Sequence, residues 1–386
     1  MPLKRAKWRT GRILLLMIML LVIGLVSFGC VKGLQPIGWS GGAVADGTLY
    51  VGSKEGRLVA VNLADESRQW AEPLKATRQA GGFFGCAPAY GGGCGGGASG
   101  VAIYGTPVVS GDLVYIGGYN GKIYAYVSDT LSMRWVYPRE GNLEPIVGGL
   151  LVAKGKVYFG SSDGKVYALD AATGDKLWEF STGDKIWSTP AISDDTLFIG
   201  SFDNKLYALS AADGSKKWDF PTEGAVIAVP LLHNDSVYFG SFDRHLYAVN
   251  AYDGSLRWKF MSENWFWAKP VVYDNTIYAG CLDDKVYALK ADTGGKVAEF
   301  DLKSPVSSSP VVVNSSIIFA SRKGMVYTVD TSVNKLGQLA EIEEEVYGPL
   351  CVSEGIVYIH TQDLTLHRIN AINGAVLRPI SLESKD

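Results

Sequence analysis

The sequence predicts an all-β protein: an eight-bladed β-propeller of four-stranded antiparallel blades. Three observations point there. A unit near 40 residues long returns along most of the chain, each copy reads as short strands and turns, and a glycine closes one strand of nearly every copy. VYFGSSDGKVYALDAATGDKLWEFST, residues 157–182, recurs 40 residues later as LFIGSFDNKLYALSAADGSKKWDFPT and again as VYFGSFDRHLYAVNAYDGSLRWKFMS. Self-similarity at such a spacing is the signature of repeated small sheets, each too small to bury its own faces.

Within the unit, Val157 to Phe159 is β-branched and aromatic, and Gly160 to Gly164 supplies a turn. Lys165 to Leu169 alternates polar and apolar, a second turn spans Ala171 to Gly174, and a further strand runs to Phe180. An apolar run ahead of the unit, Gly149 to Ala153, gives the innermost strand, with Lys154-Gly155-Lys156 as its tight turn. The strand-ending glycine falls at Gly52, Gly117, Gly160, Gly200, Gly240 and Gly280, with Ala320 and His360 in the last two places. Eight repeats result, the last two degenerate. The composition agrees with one large β domain: 386 residues, 46 Gly, 20 Tyr and 10 Trp. A net charge of −3 supplies no basic field for nucleic acid.

Ahead of the repeats stand Lys4, Arg5, Lys7, Arg9 and Arg12, then an uncharged apolar run from Ile13 to Phe28. That order of charge and apolarity predicts a secretion signal, hence an extracytoplasmic and membrane-anchored domain. Val26 to Cys30 resembles a bacterial lipobox, which implies a lipidated Cys30; an uncleaved anchor and simple secretion are the alternatives. The expected organisation is 1–30 signal or anchor, 31–36 linker and 37–386 propeller, with a Gly/Cys-rich insertion at 71–101. Cys86 and Cys94 in that insertion are a possible disulfide in an oxidising compartment.

Eighteen residues after the marker glycine stand Trp70, Trp135, Trp178, Trp218 and Trp258. Asp170-Ala171-Ala172-Thr173-Gly174-Asp175-Lys176-Leu177-Trp178 resembles the tryptophan-docking motif of the PQQ-like (pyrroloquinoline-quinone-type) propeller repeats. The resemblance covers Pro36 to Leu382 and implies that these Trp rings pack between blades. It implies two classes of function. One is a PQQ-dependent alcohol dehydrogenase, with quinone over a Trp floor, a disulfide of adjacent cysteines and calcium held by Glu, Asn and Asp. The other is a non-catalytic protein of the BamB type, the propeller lipoprotein of the outer-membrane assembly machine. No two of Cys30, Cys86, Cys94, Cys281 and Cys351 are adjacent, and Asp163, Asp203, Asp243 and Asp283 recur at one turn position on separate blades. Neither the catalytic groups nor a metal cage is legible, so no cofactor and no enzyme activity is expected.

Thirteen residues before each marker lie Trp39, Tyr104, Val147, Trp187, Ile227, Trp267, Ser307 and Tyr347. They stand on the connections between blades, where they either pack on their own blade or form a shared aromatic surface. The aromatic ones, Trp39, Tyr104, Trp187, Trp267 and Tyr347, together with Trp265 and Phe266 are the candidate binding face. The leading expectation is a membrane-tethered scaffold that presents this face to other envelope proteins. A small-ligand sensor and a quinoprotein dehydrogenase are the alternatives.

Overall fold

The protein is described from a computed structural model, which defines residues 40–53, 55–75 and 101–383. These hold 32 strands, β1 (Gly42–Ala45) to β32 (Val376–Ser381), and no helix among the described residues. The strands group by fours, in sequence order, into eight antiparallel sheets. Cys30, Trp39, Cys86 and Cys94 lie outside the described residues.

The fourth blade shows how the sequence makes one unit. β13 (Ala191–Ser193), β14 (Thr196–Ser201), β15 (Lys205–Ser210) and β16 (Lys216–Pro221) run from the axis outward. β14 and β15 are buried nearly throughout, since both faces of a middle strand meet neighbouring blades, whereas β16 exposes its lysines. A bulge between Ala208 and Leu209 shifts the β15–β16 register so that Ala208 pairs with Trp218. Strand polarity therefore sorts the turns onto two faces. The turns after β13 and β15 lie on one; the turn after β14 and the connection to the next blade lie on the other.

Blades meet through two columns. A Cβ at the marker glycine would fall on a bulky residue of the next connection: 2.1 Å from Ile186 at Gly160 and 2.4 Å from Val226 at Gly200. Only glycine permits that approach. Farther out, Trp135, Trp178, Trp218 and Trp258 lie against Gly174, Gly214, Gly254 and Gly294 of the following blade. At Gly214, φ is +77° and an added Cβ would sit 2.6 Å from the Trp178 ring, so both backbone and packing require glycine. Each indole N–H also donates to a carbonyl one blade on, Trp178 to Ala211 at 3.3 Å and Trp258 to Ala291 at 2.9 Å.

Trp70 departs from this column. The bulge is absent in the first blade, so Val59 rather than Ala60 pairs with Trp70. A one-residue change of register turns a side chain to the other face. The ring consequently packs toward the last blade, where its N–H donates to Leu382 O at 3.0 Å. The seam between last and first blades adds the Arg368–Glu66 ion pair at 2.8 Å and the His360 Nδ1 contact with Ser40 O at 3.1 Å. The insertion is packed at both ends: Ala71, Leu74 and Val101 join one buried cluster with strands of the first two blades.

Candidate functional site

The face that carries the blade connections holds a run of rings that crosses several blades. The Trp187 ring meets Phe202 edge-to-face at 4.8 Å between centroids, and Phe202 meets Phe242 at 6.1 Å. Phe242 stacks on Trp265 at 4.1 Å and lies 5.7 Å from Trp267. All five are partly exposed, so the stripe is anchored below and open above. Lys185 Nζ sits 4.8 Å from the centre of Trp187 and 4.4 Å from that of Phe202, a cation held over two ring faces. Trp187 is further fixed by donating Nε1–H to Ser162 Oγ at 3.2 Å.

Not every residue of the predicted face is there. Phe266 is 1% exposed and packs over Gly240, whose Cβ would lie 2.4 Å from it; it belongs to the core. The reason is geometric: the residue just before the aromatic column falls on the marker glycine of the preceding blade, as Ile186 and Val226 do. Tyr104 pairs with Tyr119 at 5.4 Å, on the second blade. Tyr347 is covered by Arg322 at 4.8 Å and donates to Glu345 at 2.5 Å; burial, and then that carboxylate, push its pKa up. Ile227 and Ser307 are buried and add no ring. Phe202 and Phe242, two residues past their marker glycines, escaped the sequence reading. Their signal was an apolar residue inside a turn, Ser-Phe-Asp where the third blade has Ser-Ser-Asp.

The recurring aspartates are latches. Asp203 Oδ2 accepts from Tyr207 OH at 2.6 Å and from Gly183 N of the preceding connection at 2.7 Å. Asp243 accepts from Tyr247 OH at 2.7 Å and Glu223 N at 3.0 Å. Burial opposes the charge of Asp243, but these hydrogen bonds outweigh it and hold its carboxyl below the usual range. No three His, Cys, Asp or Glu side chains among the described residues are placed to share a metal.

A PQQ–calcium centre does not fit the described residues. Cys281 is buried with Sγ against Ser262, Asn264 and Trp265, and burial pushes its thiol up to about 12; Cys351 lies in β29 (Cys351–Ser353) of the last blade. Trp265, a partly exposed candidate for a ring floor, already stacks on Phe242.

Residues 150–385 match the family model described as the beta-alanine-activating enzyme β-propeller, and residues 37–179 match that of outer membrane protein assembly factor BamB. The chain belongs to this family of PQQ-like β-propellers. Among solved structures, BamB from Moraxella catarrhalis is similar at 18% identity and a TM-score of 0.64, over 84% of this chain and 91% of that one. The computationally designed Ika8 protein is similar at 15% identity and a TM-score of 0.69, over 85% and 94%. Both likenesses are of fold. The quinoprotein alcohol dehydrogenase PedH of Pseudomonas putida is 43% identical over 53 residues. That match spans 14% of this chain and only 9% of the enzyme, little more than one repeat.

Proposed function

We propose that the propeller is a non-catalytic, membrane-tethered scaffold on the outer side of a membrane, docking an envelope protein on its connection face. The observation that supports this reading most is the five-ring stripe from Trp187 to Trp267. Partly exposed, pre-ordered aromatics are the side chains on which binding energy concentrates, because they bury much area while losing few rotamers. On the opposite face the turn Ala212-Asp213-Gly214 is short and polar. The match of residues 37–179 to the BamB family model supports reading the docked protein as an outer-membrane assembly component, and the lipobox-like Cys30 would supply the tether.

Affinity capture from membranes, with partners identified by mass, tests it. Wild type is expected to retain a partner that Phe242→Ala/Trp267→Ala loses, at a cost of about 2 kcal/mol or more. Asp213→Lys is expected to change nothing. Retention by the double variant with loss by Asp213→Lys would place docking on the other face. Reconstitution with PQQ and calcium is expected to give no dye-linked alcohol oxidation; turnover would favour the dehydrogenase reading.

A further inference from the structure

On the face opposite the stripe, a groove opens at one position of the repeat, between the fourth and fifth blades and again between the seventh and eighth. Between the third and fourth blades the chain fills the equivalent groove itself. Lys156 Nζ donates to Ala211 O at 3.0 Å and Ala212 O at 2.9 Å, and Tyr158 OH donates to Ala211 O at 3.0 Å. Lys154 Nζ reaches Asp194 O at 2.6 Å. One repeat later the equivalents of Lys154, Lys156 and Tyr158 are Asp194, Thr196 and Phe198. Two ammonium groups and a phenol are missing, and a groove of about 660 Å³ opens between the fourth and fifth blades.

The acceptors remain. Ala251 O, the counterpart of Ala211 O, receives Trp218 Nε1 at 3.3 Å and no other donor among the described residues. Asp194 and Asp235 bring carboxylates to the lining, neither in an ion pair among the described residues. Tyr252 stands at the rim 90% exposed, and the fully buried Phe198 lies beneath the groove floor. Carbonyls, carboxylates and an open ring are the chemistry that holds an alkylammonium ion. Arg257 and His233 are the basic side chains of the lining. Arg257 donates to Asp235 O at 3.1 Å, as Lys217 does to Asp195 O at 3.1 Å in the filled groove, so a cation there coexists with a bound ammonium.

We propose that this groove binds a primary ammonium group on an alkyl stem, the group that Lys156 provides one blade earlier. Such a group comes from a free diamine or from a lysine side chain of a partner segment. Titrating the full chain with 1,5-diaminopentane and with Nα-acetyl-lysine amide, by calorimetry or NMR, tests it. Saturable binding of either supports the proposal; tighter binding of the diamine points to the free amine, and of the lysine amide to a peptide. Thr196→Lys is expected to fill the groove, raise the unfolding midpoint and weaken binding about ten-fold or more by occupying the same acceptors. Asp194→Asn/Asp235→Asn is expected to weaken it without lowering that midpoint, and Ser316→Lys, in the groove after the seventh blade, to leave it unchanged. No saturable binding of either amine, or binding that survives Thr196→Lys, would overturn the proposal.

Discussion

Removing the Trp178 ring would empty the space between Tyr158, 5.8 Å away, and Gly214 of the next blade, and would leave Ala211 O one donor short. Trp178→Ala is expected to cost about 3–5 kcal/mol, read as a fall in the unfolding midpoint. An unchanged midpoint would mean that the ring is not a packing element. Where no Trp docks, the first, second and seventh blades carry Glu66, Leu131 and Asn334 at the positive-φ turn position that is glycine in the third to sixth, while the eighth keeps Gly374 against Leu339 O. Asp243 offers a test by titration. Its depressed pKa means that it stabilises the fold above the ordinary aspartate range, and that this stabilisation is lost as pH falls through the folded value. Asp243→Asn is accordingly expected to lower the midpoint at neutral pH and to converge with wild type below about pH 4. A constant offset at all pH values would contradict this assignment.

At the scale of the strand and turn, most of the architecture was legible because it depends on local chemistry that repeats. The marker glycine, the alternating run after it and the turn before Trp178 sit where the pattern puts them, in the two middle strands and the hairpin that follows. What escaped depends on register and on neighbouring blades. Trp70 keeps its spacing from Gly52, but spacing alone does not reveal that the bulge is missing, and the ring faces the last blade instead of the second. Phe266 lies between two surface tryptophans in sequence, yet its neighbour in space is Gly240. Phe202 and Phe242 sit in the turn after the marker glycine, and a turn pattern does not show that two turns on adjacent blades bring their rings within 6.1 Å. The stripe exists only once blades are placed side by side.

Across the whole propeller, every blade is built from four consecutive strands, so ring closure relies on side chains rather than on a strand shared between the chain ends. Trp70, Arg368 and His360 hold that seam. Trp70 is only partly buried, and Trp70→Ala is expected to cost less than Trp178→Ala in parallel thermal melts; an equal or larger loss would make closure the weakest point of the ring. The central claim is that the connection face of this ring docks an envelope protein. Site-specific photo-crosslinking in intact cells tests it most directly, with a photoreactive phenylalanine placed at Phe242 in one variant and at Asp213 in another. The account predicts a discrete higher-mass adduct from the Phe242 position and none from Asp213. Adducts from Asp213 with none from Phe242 would contradict it.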